Sequence, residues 1–227
     1  MTHTLPLHLR DGHLFVEIGG EPSGQLWLLD TGAPTSFGAS RSLVIAGERF
    51  ALDADYLGLT PEALSGFIGV PCAGLLGADV LGRFDHIFDA AAGTLTLSTA
   101  ELSHAGQQVR LEEFMGIPIV TAKIGGRAHR MFFDTGAQIS YLQSDALKTF
   151  PAAGSVTDFY PGVGQFETDT HDVEVSLEGV PFTLRCGTLP RILGMSLSMA
   201  GVEGIVGNAI LGERIVGYFP RRGVMVV

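Results

Sequence analysis

Residues 28–37 read LLDTGAPTSF. An apolar run with the character of a buried strand ends on an acid, Asp30, followed by Thr31, Gly32 and Ala33. A carboxylate in that position is costly unless another group shares or offsets its charge. Residues 132–141, FFDTGAQISY, repeat the arrangement with Asp134, Thr135, Gly136 and Ala137. One Asp-Thr-Gly is a weak signal. Two copies, each behind an apolar strand and each ahead of a later apolar-apolar-Gly, form a pattern that chance does not supply.

The repetition extends outward from the two motifs. Ile18-Gly19-Gly20 matches Ile124-Gly125-Gly126, while Asp30/Asp134 and Ser36/Ser140 share an offset of 104. GLLGADVLGRF matches GIVGNAILGER at an offset of 130, which pairs Gly77 with Gly207, Leu81 with Leu211 and, further on, Gly93 with Gly223. LVIAGERFAL matches VSLEGVPFTL at an offset of 132, through Gly47/Gly179 and Phe50/Phe182. Three blocks in the same order describe one architecture built twice: lobes at 1–99 and 108–227, joined by a polar linker at 100–107.

The growth of the offset from 104 to 132 places 28 additional residues in the second copy, between Ser140 and Gly179. SDALKTF within them suits one short helix. SVTDFYPGVGQFETDT, at about 155–170, suits two strands around a Pro-Gly-Val-Gly turn, a hairpin. Elsewhere short apolar strands alternate with glycine. TPEALSGF carries a helix cap at Thr60 and proline at the first helical position; GADVLGRF and GNAILGER suit one or two helical turns each. The expected fold is all-β, bilobal and pseudo-twofold, with a few short helices.

The totals fit this reading. The 227 residues are 46% hydrophobic and 17% charged, with 31 glycines, a balance closer to strands and turns than to a helical bundle. A net charge of −10 argues against a nucleic-acid partner. No basic segment leads into an apolar one at the start, and no apolar run approaches the roughly 18 residues of a membrane span, so a cytoplasmic protein without a membrane partner is expected. Cys72 and Cys186 are too few for a disulfide framework and read as free thiols. The seven histidines show no metal-ligand spacing. LGMSLSMAG lacks the nucleophile elbow of serine hydrolases, and PGVGQF lacks the βαβ context of a dinucleotide loop. The acidic pairs at 53–55 and 112–113 read as solvated surface.

The two DTGA motifs with their apolar-apolar-Gly partners resemble those of aspartic proteases, most closely the retropepsin-like kind. The likeness covers nearly the whole chain, as two retropepsin-size lobes fused. It implies an endopeptidase that hydrolyses peptide bonds with a water activated between Asp30 and Asp134, without metal or cofactor. Two facing carboxylates cannot both ionise cheaply; they hold one proton and titrate as a unit. By the same resemblance Gly32 and Gly136 allow tight turns, Thr31 and Thr135 bond across the lobe interface, and Gly77 and Gly207 let a strand pass beneath each aspartate. Ala33 and Ala137 stand where many pepsin-like enzymes have a hydroxyl; its loss implies tighter proton binding and a mildly acidic to near-neutral optimum. The hairpin takes the place of a flap, on the second lobe alone, with its tip near 161–164. Phe159, Tyr160, Gly162, Gly164 and Phe166 are its candidate substrate contacts. The expected substrate is a polypeptide lying extended in the interlobe cleft of a monomer. The rival expectation is a catalytically silent peptide-binding module on the same fold.

Overall fold

A computed structural model describes residues 2–19, 24–160 and 163–227. The described chain is mostly β-sheet, with helices of at most nine residues. One sheet runs, in spatial order, through Gln108–Arg110, Val224–Val226, Val216–Phe219, Asp85–Asp89, Thr94–Ser98, Thr2–Arg10, His13–Ile18, Gln25–Leu29, Gly74–Leu76 and Phe37–Gly38. The second runs through Glu112–Phe114, Ile117–Ile124, Arg127–Phe133, Gly204–Val206, Ser140–Leu142, Val180–Gly187, Gly164–Leu177 and Ala152–Tyr160. The first sheet is not confined to the first half of the sequence. Val216–Phe219 pairs antiparallel with Asp85–Asp89, so the last strands of the chain are hydrogen-bonded into it. Arg221 and Arg222 reinforce this seam by reaching the fully buried Asp85 at 2.8 and 2.6 Å.

The repeated blocks take matching conformations. Ser42–Ile45 and Glu48–Ala51 form a small hairpin through Ala46 and Gly47 (φ 53° and 83°); its counterpart turns through Glu178 and Gly179 (φ 46° and 86°). Gln25–Leu29 lies parallel to Gly74–Leu76, as Arg127–Phe133 does to Gly204–Val206. Burial of both faces accounts for the unbroken apolar runs WLL and MFF.

The helix Pro61–Ile68 starts as its sequence foretells, with the Thr60 side chain accepting from Ala63 N at 3.3 Å. Ala78–Leu81 and Ala209–Glu213 are the short turns after the two glycines, and Asp145–Thr149 is a 3-10 turn within the inserted segment. One helix was not legible: Arg191–Met199, a counterpart to Pro61–Ile68 ahead of the second apolar-apolar-Gly strand. Pro190 precedes it without a side-chain cap bond, and its first turn holds no acid, so it carries no start signal other than proline. The inserted hairpin is longer than 155–170: Ala152–Tyr160 pairs with Gly164–Leu177. Pro161 and Gly162, at its expected tip, lie outside the described residues.

Candidate functional site

Both Asp-Thr-Gly loops leave the ends of buried strands and meet at the boundary between the two halves. The backbone of each is tied to the strand beside it. Asp30 N donates to Leu76 O at 3.0 Å and Asp134 N to Val206 O at 2.9 Å. One residue on, Gly77 N donates to Ser36 Oγ at 2.8 Å and Gly207 N to Ser140 Oγ at 3.0 Å. A side chain could not replace either glycine. A Cβ on Gly77 would lie 2.7 Å from Ala33 O, and one on Gly207 2.5 Å from Ile139 O.

Thr31 and Thr135 lock the loops together. Thr31 N donates to Thr135 Oγ1 at 3.1 Å and Thr135 N to Thr31 Oγ1 at 3.0 Å. Each hydroxyl then donates past its partner, Thr31 to Phe133 O at 2.6 Å and Thr135 to Leu29 O at 2.8 Å. Both residues are fully buried. These four bonds satisfy every polar group of the two side chains, so the loops have little freedom to separate.

The same closeness explains Gly32 and Gly136. Each carboxyl sits on the opposite glycine: a Cβ on Gly136 would be 2.5 Å from Asp30 Cγ, and one on Gly32 would overlap Asp134 Cγ outright. The two carboxyls lie close enough together that each affects the other's proton affinity. Asp30 Oδ1 accepts from Ala33 N at 2.8 Å, and Asp134 Oδ1 from Gly136 N at 2.8 Å and Ala137 N at 3.2 Å. Burial and then the charge of Asp134 hold Asp30 well above the usual carboxylate range. Asp134 is raised as well, by burial first, with the charge of Asp158 adding to it. The backbone N–H donors oppose both shifts without cancelling them. The pair therefore keeps one proton well into the pH range where free carboxylates have lost theirs.

The two carboxyls form the floor of a cavity of about 80 Å³. Ala33 and Ala137 lie beside them, and the hairpin forms the roof through Asp158, Phe159, Tyr160 and Phe166. Phe159 reaches the first half of the chain, stacking on Phe67 with ring centres 5.0 Å apart. The Tyr160 phenol is pushed up to about 12, by burial first and then by the charge of Asp134. Gly164 starts the return strand at φ 88° with open space around it and does not line the cavity. Gly162 lies outside the described residues.

Several lining residues were not legible in the sequence. Tyr56 faces the carboxyls from the first half, its phenol raised by burial and then by the charge of Asp30. Tyr141 donates its hydroxyl to Asp158, and Asn208 Nδ2 donates to Gly12 O at 2.8 Å, bracing the Asp134 loop against the first half. No motif marks these residues. Asn208 alone had a pointer, as the polar residue standing where the repeat has Ala78.

Among the described residues no three His, Cys, Asp or Glu side chains converge as a metal site requires, and no helix is long and apolar enough to cross a membrane. Cys72 and Cys186 are free. A scan against protein-family models and a search of curated proteins both found no match.

Proposed function

We propose that the protein is an aspartic endopeptidase of two fused retropepsin-like lobes, with Asp30 and Asp134 as its catalytic residues. One observation carries the reading. Two aspartates from repeated loops are brought together, each fitted over the other's glycine, and the loops are locked by a reciprocal threonine pair. A structural role alone gives no reason to bury two carboxyls side by side, where burial raises the proton affinity of both.

The chemistry follows from one proton shared by two acids. The ionised carboxylate accepts a proton from a water seated between the pair. The protonated partner donates to the carbonyl oxygen of the peptide, and the water oxygen bonds to the carbonyl carbon. The resulting gem-diol collapses as a proton passes to the amide nitrogen and the C–N bond breaks. The pair ends with one proton, as it began. Raised proton affinity keeps a donor available at mildly acidic to near-neutral pH.

The cavity over the carboxyls is smaller than the roughly 300 Å³ of a modest ligand site, so a peptide enters by lifting the hairpin. Among the described residues, Phe159 holds that roof to the first half through Phe67, His13 and neighbouring apolar contacts, and these re-form readily. A peptide lying extended beneath the hairpin would pair its backbone with it and place alternate side chains in the flanking apolar walls.

The test is cleavage of a diverse unstructured peptide library, read by mass spectrometry from pH 3 to 8, beside Asp134→Asn. Expected is cleavage by the wild type that the substitution abolishes. A folded, monodisperse wild type that cleaves nothing at any pH, or an Asp134→Asn protein that cleaves equally well, overturns the reading.

A further inference from the structure

The third carboxylate of the cleft, Asp158, has no part in the mechanism above. It lies on the inner face of the hairpin, opposite Phe166 in the strand register, and is only 9% exposed. Its Oδ2 accepts from the Tyr141 hydroxyl and its Oδ1 from Phe159 N at 2.8 Å. The Tyr141 phenol is raised far above its ordinary range, by burial and then by the charge of Asp158, so it keeps its proton and only donates. A carboxylate has about four acceptor positions. Two are used here, and Asp158 is among the residues that line the cavity containing Asp30 and Asp134.

Its surroundings make this costly. The nearby wall is apolar, with Phe159, Phe166, Leu189 and Ile205, and among the described residues no lysine, arginine or histidine pairs with it. The comparably buried Asp85 is met by two arginines, which shows how this chain neutralises an acid when the purpose is structural. A buried carboxylate normally has a cation beside it. At Asp158 the described residues supply none, and the residue lines the space a ligand would fill.

We propose that Asp158, oriented by Tyr141, is the specificity-determining residue of the cleft and selects peptides with a lysine or arginine side chain beside the bond held over Asp30 and Asp134. The inference rests on the peptide-cleft reading above and names its substrate class. A basic side chain crosses the apolar wall with its methylene stem and brings the missing cation to the carboxylate. A neutral side chain of the same shape fills the wall and leaves the charge unpaired. A site built around such a charge discriminates strongly against the uncharged isostere.

The experiment uses peptides identical except at one position, carrying arginine or citrulline, and lysine or norleucine. Cleavage by the wild type gives kcat/KM for each, and fluorescence anisotropy with the full-length Asp134→Asn protein gives Kd without turnover. Expected is a preference of at least about tenfold for each charged member over its isostere, falling to within about threefold in Asp158→Asn. That variant keeps a carbonyl oxygen for Tyr141. Tyr141→Phe, which removes the brace and leaves the charge, keeps a preference smaller than that of the wild type and larger than that of Asp158→Asn. A wild-type ratio near one overturns the proposal whatever the variants do, as does a preference that survives in Asp158→Asn. Charge-selective binding without wild-type cleavage supports the acidic subsite while the protease reading fails. Cleavage without charge selection does the reverse, and a cleft that neither binds nor cleaves these peptides overturns both.

Discussion

The most exacting prediction concerns His86, which has no place in the proposed chemistry. Its ring is completely buried at the seam, on Asp85–Asp89 directly opposite Tyr218. Phe88 stacks on it at 5.8 Å, Tyr218 lies at 5.6 Å and Phe84 meets it edge-on at 6.3 Å. Neither ring nitrogen has a hydrogen-bond partner of normal geometry among the described residues, although the backbone of Tyr218 and Phe84 comes near. Burial lowers His86 from 6.5 to about 4, and the neighbouring Asp85 carboxylate only partly opposes this. The unfolded chain therefore takes up a proton at a pH where the folded chain refuses it. Stability from this residue is complete above pH 6.5 and is lost progressively as pH falls toward 4. At about 1.4 kcal/mol per tenfold in proton affinity, the window is worth roughly 3 kcal/mol, a large share of a typical folding free energy.

His86→Phe removes the titrating group and leaves an aromatic ring among aromatic rings. Urea unfolding at pH 7, 6, 5 and 4.5 gives the free energy of each protein. The wild type should lose up to about 3 kcal/mol more than the variant across that range. The Asp30–Asp134 pair cannot imitate the effect, because its sign is opposite. Carboxyls whose folded proton affinity is raised favour the folded state at low pH, and that stability is lost as pH rises. The difference between the proteins isolates the histidine, whatever the variant does to baseline stability by repacking. Parallel curves for the two proteins would refute the reasoning.

The remaining predictions concern the floor of the cleft. Thr31→Val strands Thr135 N and Phe133 O in the interior and should cost about 3 kcal/mol in urea unfolding, and Thr135→Val, by symmetry, a similar amount. Equal stability to wild type would show that the reciprocal bonds do not hold the halves together. Gly32→Ala places a methyl group on the Asp134 carboxyl; peptide cleavage should fall at least about a hundredfold, and near-normal kcat/KM would deny that the two acids must touch. The wild-type rate should peak at mildly acidic to near-neutral pH. Ala33→Ser, which adds a hydroxyl to the residue whose N–H already bonds Asp30, should move the profile toward acid. A wild-type maximum below about pH 3.5, or an Ala33→Ser shift toward alkali, contradicts the account.

The features legible in the sequence are those that the duplication writes twice. Asp30 with Asp134, Thr31 with Thr135 and the paired glycines stand out because the same short-range demand recurs at fixed offsets. The Ala46-Gly47 and Glu178-Gly179 turns agree to within a few degrees for the same reason. The inserted hairpin was found as the place where the repeat breaks. Features made by a single long-range meeting were not legible. Asp158 reads as one more polar residue of an alternating strand, and only Tyr141, from a different strand, gives it meaning. Tyr56 sits beside DAD, a stretch that reads as surface, yet its ring faces the acids. The merging of Val216–Phe219 into the first sheet has no local signature, since an apolar strand does not encode which half it will join.

The symmetry of the floor and the asymmetry of the roof have different physical consequences. Below, each acid has an equivalent loop, glycine and threonine, and the floor departs from symmetry in small details such as Asn208 in place of Ala78. Above, one hairpin spans both halves, its Phe159 reaching Phe67 where a second hairpin would otherwise meet it. The cavity over the acids is lined by Tyr56, Leu59 and Leu64 from the first half and by Tyr141, Asp158 and Phe166 from the second. Equal acids can exchange the roles of base and donor only in surroundings that are equal too. The charge of Asp158, carried by the hairpin, adds to the raised proton affinity of Asp134, so the roof contributes to making the two ends of the proton pair chemically distinct. On the proposed peptide-cleft reading, the single hairpin gives a duplicated floor the one-sidedness that holding a directional polymer in a single orientation requires.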